Sequence, residues 1–263
     1  MEAFTYRKPG SADDAVSALN GADDGKFLAG GMTLLPTMKQ MLAAPDALVD
    51  LGGIGDLAGI SRDGDNLVVG AMTTHATVAA SAEVQSAIPA LAALASGIGD
   101  PMVRNRGTIG GSIANADPAA DYPAAVVGLN ATVNTNKRSI AADDFFVDVF
   151  ETALDDDELV VSVSFPIPSK AAYQKFPNPA SRYAVVGVMV AQTGDGVRVA
   201  VTGAGPSVFR ETAFEQALGD NFAADALDGL AVDASNLNED IHASAAYRAN
   251  LVSVMAKRAV SAC

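Results

Sequence analysis

A chain of 263 residues, 49% of them hydrophobic, is long enough to bury a sizeable core and too apolar to stay disordered. Its formal net charge of −14 excludes nucleic acid and anionic membrane surfaces as natural partners. The lone cysteine, Cys263, excludes an intrachain disulfide and a self-contained iron–sulfur cluster, while His75 and His242 begin no zinc pattern, so no metal is expected.

The start, Met1-Glu2-Ala3-Phe4, has no basic n-region or apolar h-region, and no apolar run reaches the ~18 residues of a membrane span. A cytoplasmic protein is expected. Ser11 with Asp14 three residues on forms a capping box, Asp taking the usual Glu/Gln place, and opens a helix through Ala15, Val16 and Leu19. Phe27-Leu28-Ala29 and Ala47-Leu48-Val49-Asp50-Leu51 read as brief strands, with a helix from Leu34 to Met41 between them. That βαβ-like spacing predicts a small, mostly parallel sheet. Gly53-Ile54-Gly55-Asp56-Leu57-Ala58-Gly59 superficially resembles a dinucleotide fingerprint, but its spacing is wrong. The strand Leu67-Val68-Val69-Gly70-Ala71 also follows too soon for a crossover helix, so a plain turn is expected.

Thr73-Thr74-His75 starts a helix into Val78 and Ala79, with His75 a capping or satisfied surface histidine rather than a base. A second helix runs from about Ile88 to Ile98. Then comes the most informative run, Val103 to Asp121: two arginines, a short β-branched segment, a Gly110-Gly111 turn and closely spaced small polar residues. Glycines let backbone N–H groups approach a phosphate; Thr108, Ser112 and Asn115 add donors, and Asp121 can accept from a ribose hydroxyl or ring N–H. A solvated surface turn is the other reading. Phe27-Leu28-Ala29-Gly30-Gly31-Met32-Thr33-Leu34 has the same grammar, and two such loops suit a ligand with two polar or anionic ends.

Beyond Asp121, a helix over Pro123 to Leu129 precedes the strand Ala131 to Asn134. Asp155-Asp156-Asp157-Glu158 reads as a solvated turn, followed by the strand Leu159 to Phe165. Pro166, Pro168 and Ser169 mark a domain boundary. The strands Ala184 to Gln192 and Val197 to Gly203 form a hairpin around Thr193-Gly194-Asp195-Gly196. Helices follow, about Arg210 to Leu218 and His242 to Val260. No nucleophile elbow, catalytic carboxylate pair or metal-ligand cluster is present.

The stretches Ala29-Gly30-Gly31-Met32-Thr33-Leu34-Leu35-Pro36 and Val103-Arg104-Asn105-Arg106-Gly107-Thr108-Ile109-Gly110-Gly111-Ser112, continuing to Ala116-Asp117-Pro118-Ala119-Ala120-Asp121, closely resemble the FAD-binding (medium) subunit of the molybdenum hydroxylases. The resemblance is to the aerobic carbon monoxide dehydrogenase type, related to the FAD domain of xanthine dehydrogenase, and it extends to Thr73-Thr74-His75, Tyr173-Gln174-Lys175 and Thr202-Gly203-Ala204-Gly205-Pro206.

It implies an α+β protein: a two-subdomain FAD-binding fold of the PCMH/vanillyl-alcohol-oxidase type over 1–167 (subdomains about 1–55 and 56–167), then a smaller α+β domain over 168–263. By the same resemblance, Phe27 to Leu34 wraps the FAD pyrophosphate, with Met32 giving an apolar contact where relatives place His or Gln. Thr108, Gly110, Gly111, Ser112, Asn115 and Asp121 hold phosphate, ribose and ring edges. Ile98 and Val160 add apolar or backbone contacts, and Lys175 lies near the flavin pyrimidine. Tyr183 either covers one isoalloxazine face or is a packed core tyrosine. Arg104 and Arg106 structure the loop or face a partner.

The implied function is electron transfer, from iron–sulfur clusters in a partner through FAD to an external acceptor. The implied partners are a molybdenum-cofactor large subunit and a 2Fe-2S small subunit, in a dimer of heterotrimers. A stand-alone FAD-dependent reductase of the same fold, or a non-catalytic assembly subunit, are the alternatives. Because the acidic chain repels a dianionic pyrophosphate at long range, the site must work through local amide dipoles and a few nearby cations.

Overall fold

In the computed structural model, which describes residues 1–263, the chain opens with a parallel βαβ unit. Strands β1 (Thr5–Arg7), β2 (Gly25–Leu28) and β3 (Ala47–Asp50) lie in the order β1-β3-β2 with both pairs parallel, as the spacing predicts. Helix α1 (Ala12–Asn20) begins where the Ser11 side chain accepts from Asp14 N at 3.2 Å, the expected cap. It buries Ala15 and Leu19 in a cluster with Val49, Leu51, Ile54 and Leu57. Helix α2 (Leu34–Lys39) stops short of Met41, which turns to φ +60°. Leu51–Gly53 and Gly55–Leu57 form two single 3₁₀ turns.

A second unit is built on a five-stranded antiparallel sheet. Strands β4 (Ile60–Asp63) and β5 (Asn66–Gly70) form a hairpin; β4 carries one apolar residue, so it had no strand signal in the sequence. Helices α3 (His75–Ala80), α4 (Ala82–Ala87), α5 (Pro89–Ser96), α6 (Pro101–Arg106), α7 (Ile109–Asn115) and α8 (Tyr122–Gly128) follow. The predicted Gly110-Gly111 turn is therefore the first turn of α7. Thr108 caps that helix, and packing overrides the turn preference of glycine. Then come β6 (Thr132–Thr135), β7 (Ser139–Ala141), α9 (Ala142–Phe145), the ribbon β8 (Phe146–Asp148) and β9 (Glu151–Thr152), and β10 (Val160–Pro166). The sheet order is β4-β5-β10-β6-β7. Leu67, Val69, Val133, Val163 and Phe165 share one core with Leu91, Ile113 and Val126 from the helices.

The last sheet runs in chain order: β11 (Lys170–Pro177), β12 (Ala184–Thr193), β13 (Gly196–Thr202) and β14 (Phe209–Arg210), all antiparallel. The Thr193–Gly196 turn joins β12 to β13 as predicted; β11, half polar, was not anticipated as a strand. Helix α10 (Thr212–Asp220) and helix α11 (Ala245–Ala262) cover one face, α11 contributing Leu251, Val252, Met255 and Ala259. Met189, Ala191 and Ala200 join the core of the preceding unit on the other face. Gly128 makes that approach possible, since a Cβ there would lie 2.7 Å from Met189 Cγ. No helix is long and apolar enough to cross a membrane.

Candidate functional site

A cavity of about 460 Å³ opens where the βαβ unit, the helical end of the second unit and the β11–β12 loop converge. Its size falls in the ordinary range for small-molecule sites, roughly 300–1,000 Å³. All the residues nominated from sequence line it except Leu28 and Lys175.

The first wall is the loop after β2. Gly31 takes φ +72°, a conformation that favours glycine, and Gly30 touches the α6–α7 joint so closely that a Cβ would lie 2.0 Å from Arg106 O. The N–H groups of Gly30, Gly31, Met32 and Thr33 donate to no protein acceptor. Four successive amides without a protein acceptor are available to an anion.

The second loop works differently from the amide cradle expected of it. Ile109 N donates to Thr73 O at 3.1 Å, Gly110 N to Ala71 O at 2.8 Å, Gly111 N to Thr108 Oγ1 at 3.1 Å and Ser112 N to Thr108 O at 3.0 Å. All four of these amides are engaged. The glycines serve close packing instead: a Cβ would lie 2.5 Å from Ala71 Cβ at Gly110 and 3.2 Å from Ala29 Cβ at Gly111. The second loop thus buttresses the first, and offers the cavity the side chains of Ser112 and Asn115.

At the far end Asp121 is buried. Its Oδ1 accepts from Tyr173 Oη at 2.6 Å and its Oδ2 from Lys175 Nζ at 3.1 Å, so the protein's own donors engage both oxygens. Burial raises its pKa, opposed by Lys175 and Tyr173. Lys175 lies behind the cavity wall, tied also to Gly97 O and Arg182 O. Tyr183 is not a packed core tyrosine: it is 44% exposed on the cavity wall, and burial with the charges of Asp117 and Asp121 raises its pKa. Arg104 turns inward to Ile98 O and Gly99 O, both at 3.0 Å, and so structures the loop.

Sequence reasoning missed further wall residues, His75 and Glu158 among them. His75 is 4% exposed, not at the surface, and Thr74 rather than His75 caps α3, accepting from Thr77 N at 3.2 Å. Its ring lies 5.3 Å from Tyr122, and neither His75 Nδ1 nor Tyr122 Oη has a hydrogen-bond partner. Burial, then Arg104, lowers the His75 pKa from 6.5 to about 4. Between those values the unfolded chain binds a proton that the folded chain refuses, so stability falls as pH drops from 6.5 to 4. The expected contribution is about 3 kcal/mol, and chemical denaturation across that window should lose this slope in His75→Gln.

Glu158 closes an otherwise solvated acidic turn, yet it is buried. It accepts from Thr135 Oγ1 at 2.6 Å, from Arg138 Nε and Nη2 at 3.0 Å and from Asp155 N at 3.0 Å. The Arg138 hydrogen bonds, followed by Thr135, Asp155 N and the Arg138 charge, outweigh burial and lower its pKa to about 2. The available clue was its place beside the apolar Leu159–Phe165 strand.

A ligand with an anionic part and planar, apolar parts suits these walls, which combine the unpartnered amides of Gly30 to Thr33 with the apolar side chains of Leu51, Leu154, Leu159 and Ile98 and the ring of Tyr183. Residues 2–168 match the family model described as FAD binding domain in molybdopterin dehydrogenase. Residues 171–263 match the CO dehydrogenase flavoprotein C-terminal domain. The chain is 35% identical to the nicotine 6-hydroxylase medium subunit of Paenarthrobacter nicotinovorans, over 99% of this chain and 97% of that one. It is also 35% identical to the carbon monoxide dehydrogenase medium chain of Hydrogenophaga pseudoflava, over 98% and 96%. The solved reconstituted CO dehydrogenase from Oligotropha carboxidovorans superposes with a TM-score of 0.91 at 32% identity, over 99% of this chain and 97% of that one.

Proposed function

The chain belongs to the FAD-binding medium subunits of the molybdenum hydroxylases, carbon monoxide dehydrogenase type, and we propose that it is the flavin-bearing electron-transfer subunit of a heterotrimer. Its partners are a large subunit with the molybdenum cofactor and a small 2Fe-2S subunit, assembled as a dimer of heterotrimers. When bound, FAD supplies the electron exchange between the partner's clusters and an external acceptor.

The observation that carries this reading is the row of unpartnered amides from Gly30 to Thr33 in the cavity wall. Those amides hold the diphosphate, which an acidic chain must capture by local dipoles. Ser112 and Asn115 hydrogen-bond its sugar-like spacer, while Phe27, Leu159 and Val160 receive the purine end. Ile98 and Tyr183 flank the ring end and exclude water from it. His75 stays neutral near pH 7, so this wall adds no titrating charge.

Relatives named for nicotine and for carbon monoxide match nearly the whole length of this chain. The choice of substrate therefore lies in the large subunit. A cytoplasmic setting belongs to the same proposal, supported by a single unpaired cysteine and the lack of a membrane-crossing helix.

Purification with native partners tests the reading. Stoichiometric FAD in a complex with molybdenum and iron–sulfur subunits is the expected result. A chain that turns over substrate alone, with flavin and no partners, overturns it.

A further inference from the structure

Lys175 joins three segments that reach the cavity from different parts of the chain. From β11, its Nζ donates to Gly97 O at 2.8 Å at the end of α5. It donates to Asp121 Oδ2 at 3.1 Å at the start of α8, and to Arg182 O at 3.0 Å in the loop before β12. An ammonium has three protons, and these three acceptors use them all. None is left to point into the cavity, although the family resemblance places this lysine against the flavin.

The loop it grips is tight. Arg182 N donates to Asn178 O and Asn178 N to Tyr183 O, both at 2.8 Å, while Asn178 Oδ1 accepts from Ala180 N and Ser181 N. Arg182 takes φ +63°, a left-handed conformation that a residue with a Cβ keeps only when its surroundings hold it there. Its guanidinium reaches across to Gly99 O at 3.2 Å. Tyr183 follows directly, and both it and Ile98 of the 97–99 turn line the cavity. Tyr173 Oη, at 2.6 Å from Asp121 Oδ1, steadies the counter-charge from below.

We propose that Lys175 is a positioning residue: a latch that fixes the 178–183 loop against the 97–99 turn and so sets Tyr183 opposite Ile98. Releasing it frees the loop and opens that end of the cavity. The latch stands on these contacts alone; that it guards the ring end of FAD rests on the function proposed above.

Hydrogen exchange on the full-length chain tests the latch. Lys175→Met alone leaves Asp121 buried without its cation and can unfold the chain, so the double variant Lys175→Met/Asp121→Asn is measured beside it. In the double variant the amides of Asn178 and Arg182 should exchange at least about tenfold faster, the loss expected from one charged hydrogen bond, with β12 and β13 core amides unchanged. In the assembled complex the same variant should release FAD about tenfold faster.

Unchanged protection of Asn178 and Arg182 in the double variant overturns the latch. So does general loss of protection, which would make Lys175 an ordinary fold-stabilising group. A changed absorbance spectrum of bound FAD with loop protection intact also overturns it, in favour of direct contact. Selective loop release in a protein whose wild-type complex binds no FAD upholds the latch and refutes the flavin reading.

Discussion

Gly30→Ala should strip FAD from the assembled complex, leaving less than about a tenth of the wild-type flavin, a loss of at least roughly 1.4 kcal/mol in binding. The new Cβ would lie 2.0 Å from Arg106 O and 2.8 Å from Gly107 Cα, both backbone atoms that cannot rotate aside. The loop after β2 must then part from the α6–α7 joint, and the amides of Gly30 to Thr33 move with it. Overpacking of this kind also costs about 1–3 kcal/mol of folding stability.

Gly31→Ala is the informative comparison. Its φ of +72° costs about 1–2 kcal/mol for a residue with a Cβ, but the nearest obstacle is the Leu35 side chain, which can shift. It should weaken FAD retention less than Gly30→Ala. Flavin absorbance per mole of purified complex, with a thermal melt of each variant, reads both effects. Full flavin content in Gly30→Ala would show that the two loops need not touch.

Arg248→Leu should destabilise the chain by about 3–5 kcal/mol, a large share of the roughly 5–15 kcal/mol available to a folded protein. Arg248 is 3% exposed on α11. Its Nη1 donates to Val185 O at 2.7 Å and Gly203 O at 3.0 Å, and its Nη2 to Asp240 at 2.7 Å. Leucine leaves two buried carbonyls without donors, each costing about 1–3 kcal/mol, while half-exposed Asp240 can rehydrate.

The damage should reach the cavity. The same strand ends hold the 117–121 segment, through Ala184 N to Ala119 O at 3.1 Å and Gly203 N to Pro118 O at 2.8 Å. Urea unfolding at constant m-value measures the loss, and a change under about 1 kcal/mol would mean that water replaces the guanidinium.

Much of the fold was legible because its signals are local. Ser11 and Asp14 cap α1 from three residues apart, and the Thr193–Gly196 turn needs only its own residues to reverse the chain. Short strands of mixed polarity, β4 and β11, escaped because pairing alone makes them strands. The site divides in the same way. Both Gly-Gly stretches were visible as places where backbone must come close, since glycine's missing Cβ is written in the sequence itself. Which stretch keeps its amides free was not visible. The carbonyls of Thr73 and Ala71, just before α3, engage the N–H groups of Ile109 and Gly110, whereas those of Gly30 to Thr33 meet no protein acceptor.

The sequence by itself thus determined the parallel βαβ start and the two close-approach loops, and through its family resemblance the FAD class of ligand; two anionic ends, the expectation drawn from the loops alone, gave way to a single row of free amides. Only the tertiary structure decided which donors face the cavity. Asp121 and Lys175 lie 54 residues apart and Thr135 and Glu158 lie 23 apart, yet these pairings set whether each group meets a ligand or another side chain. A residue's type states which hydrogen bonds it can make; the packed chain selects which of them are already made.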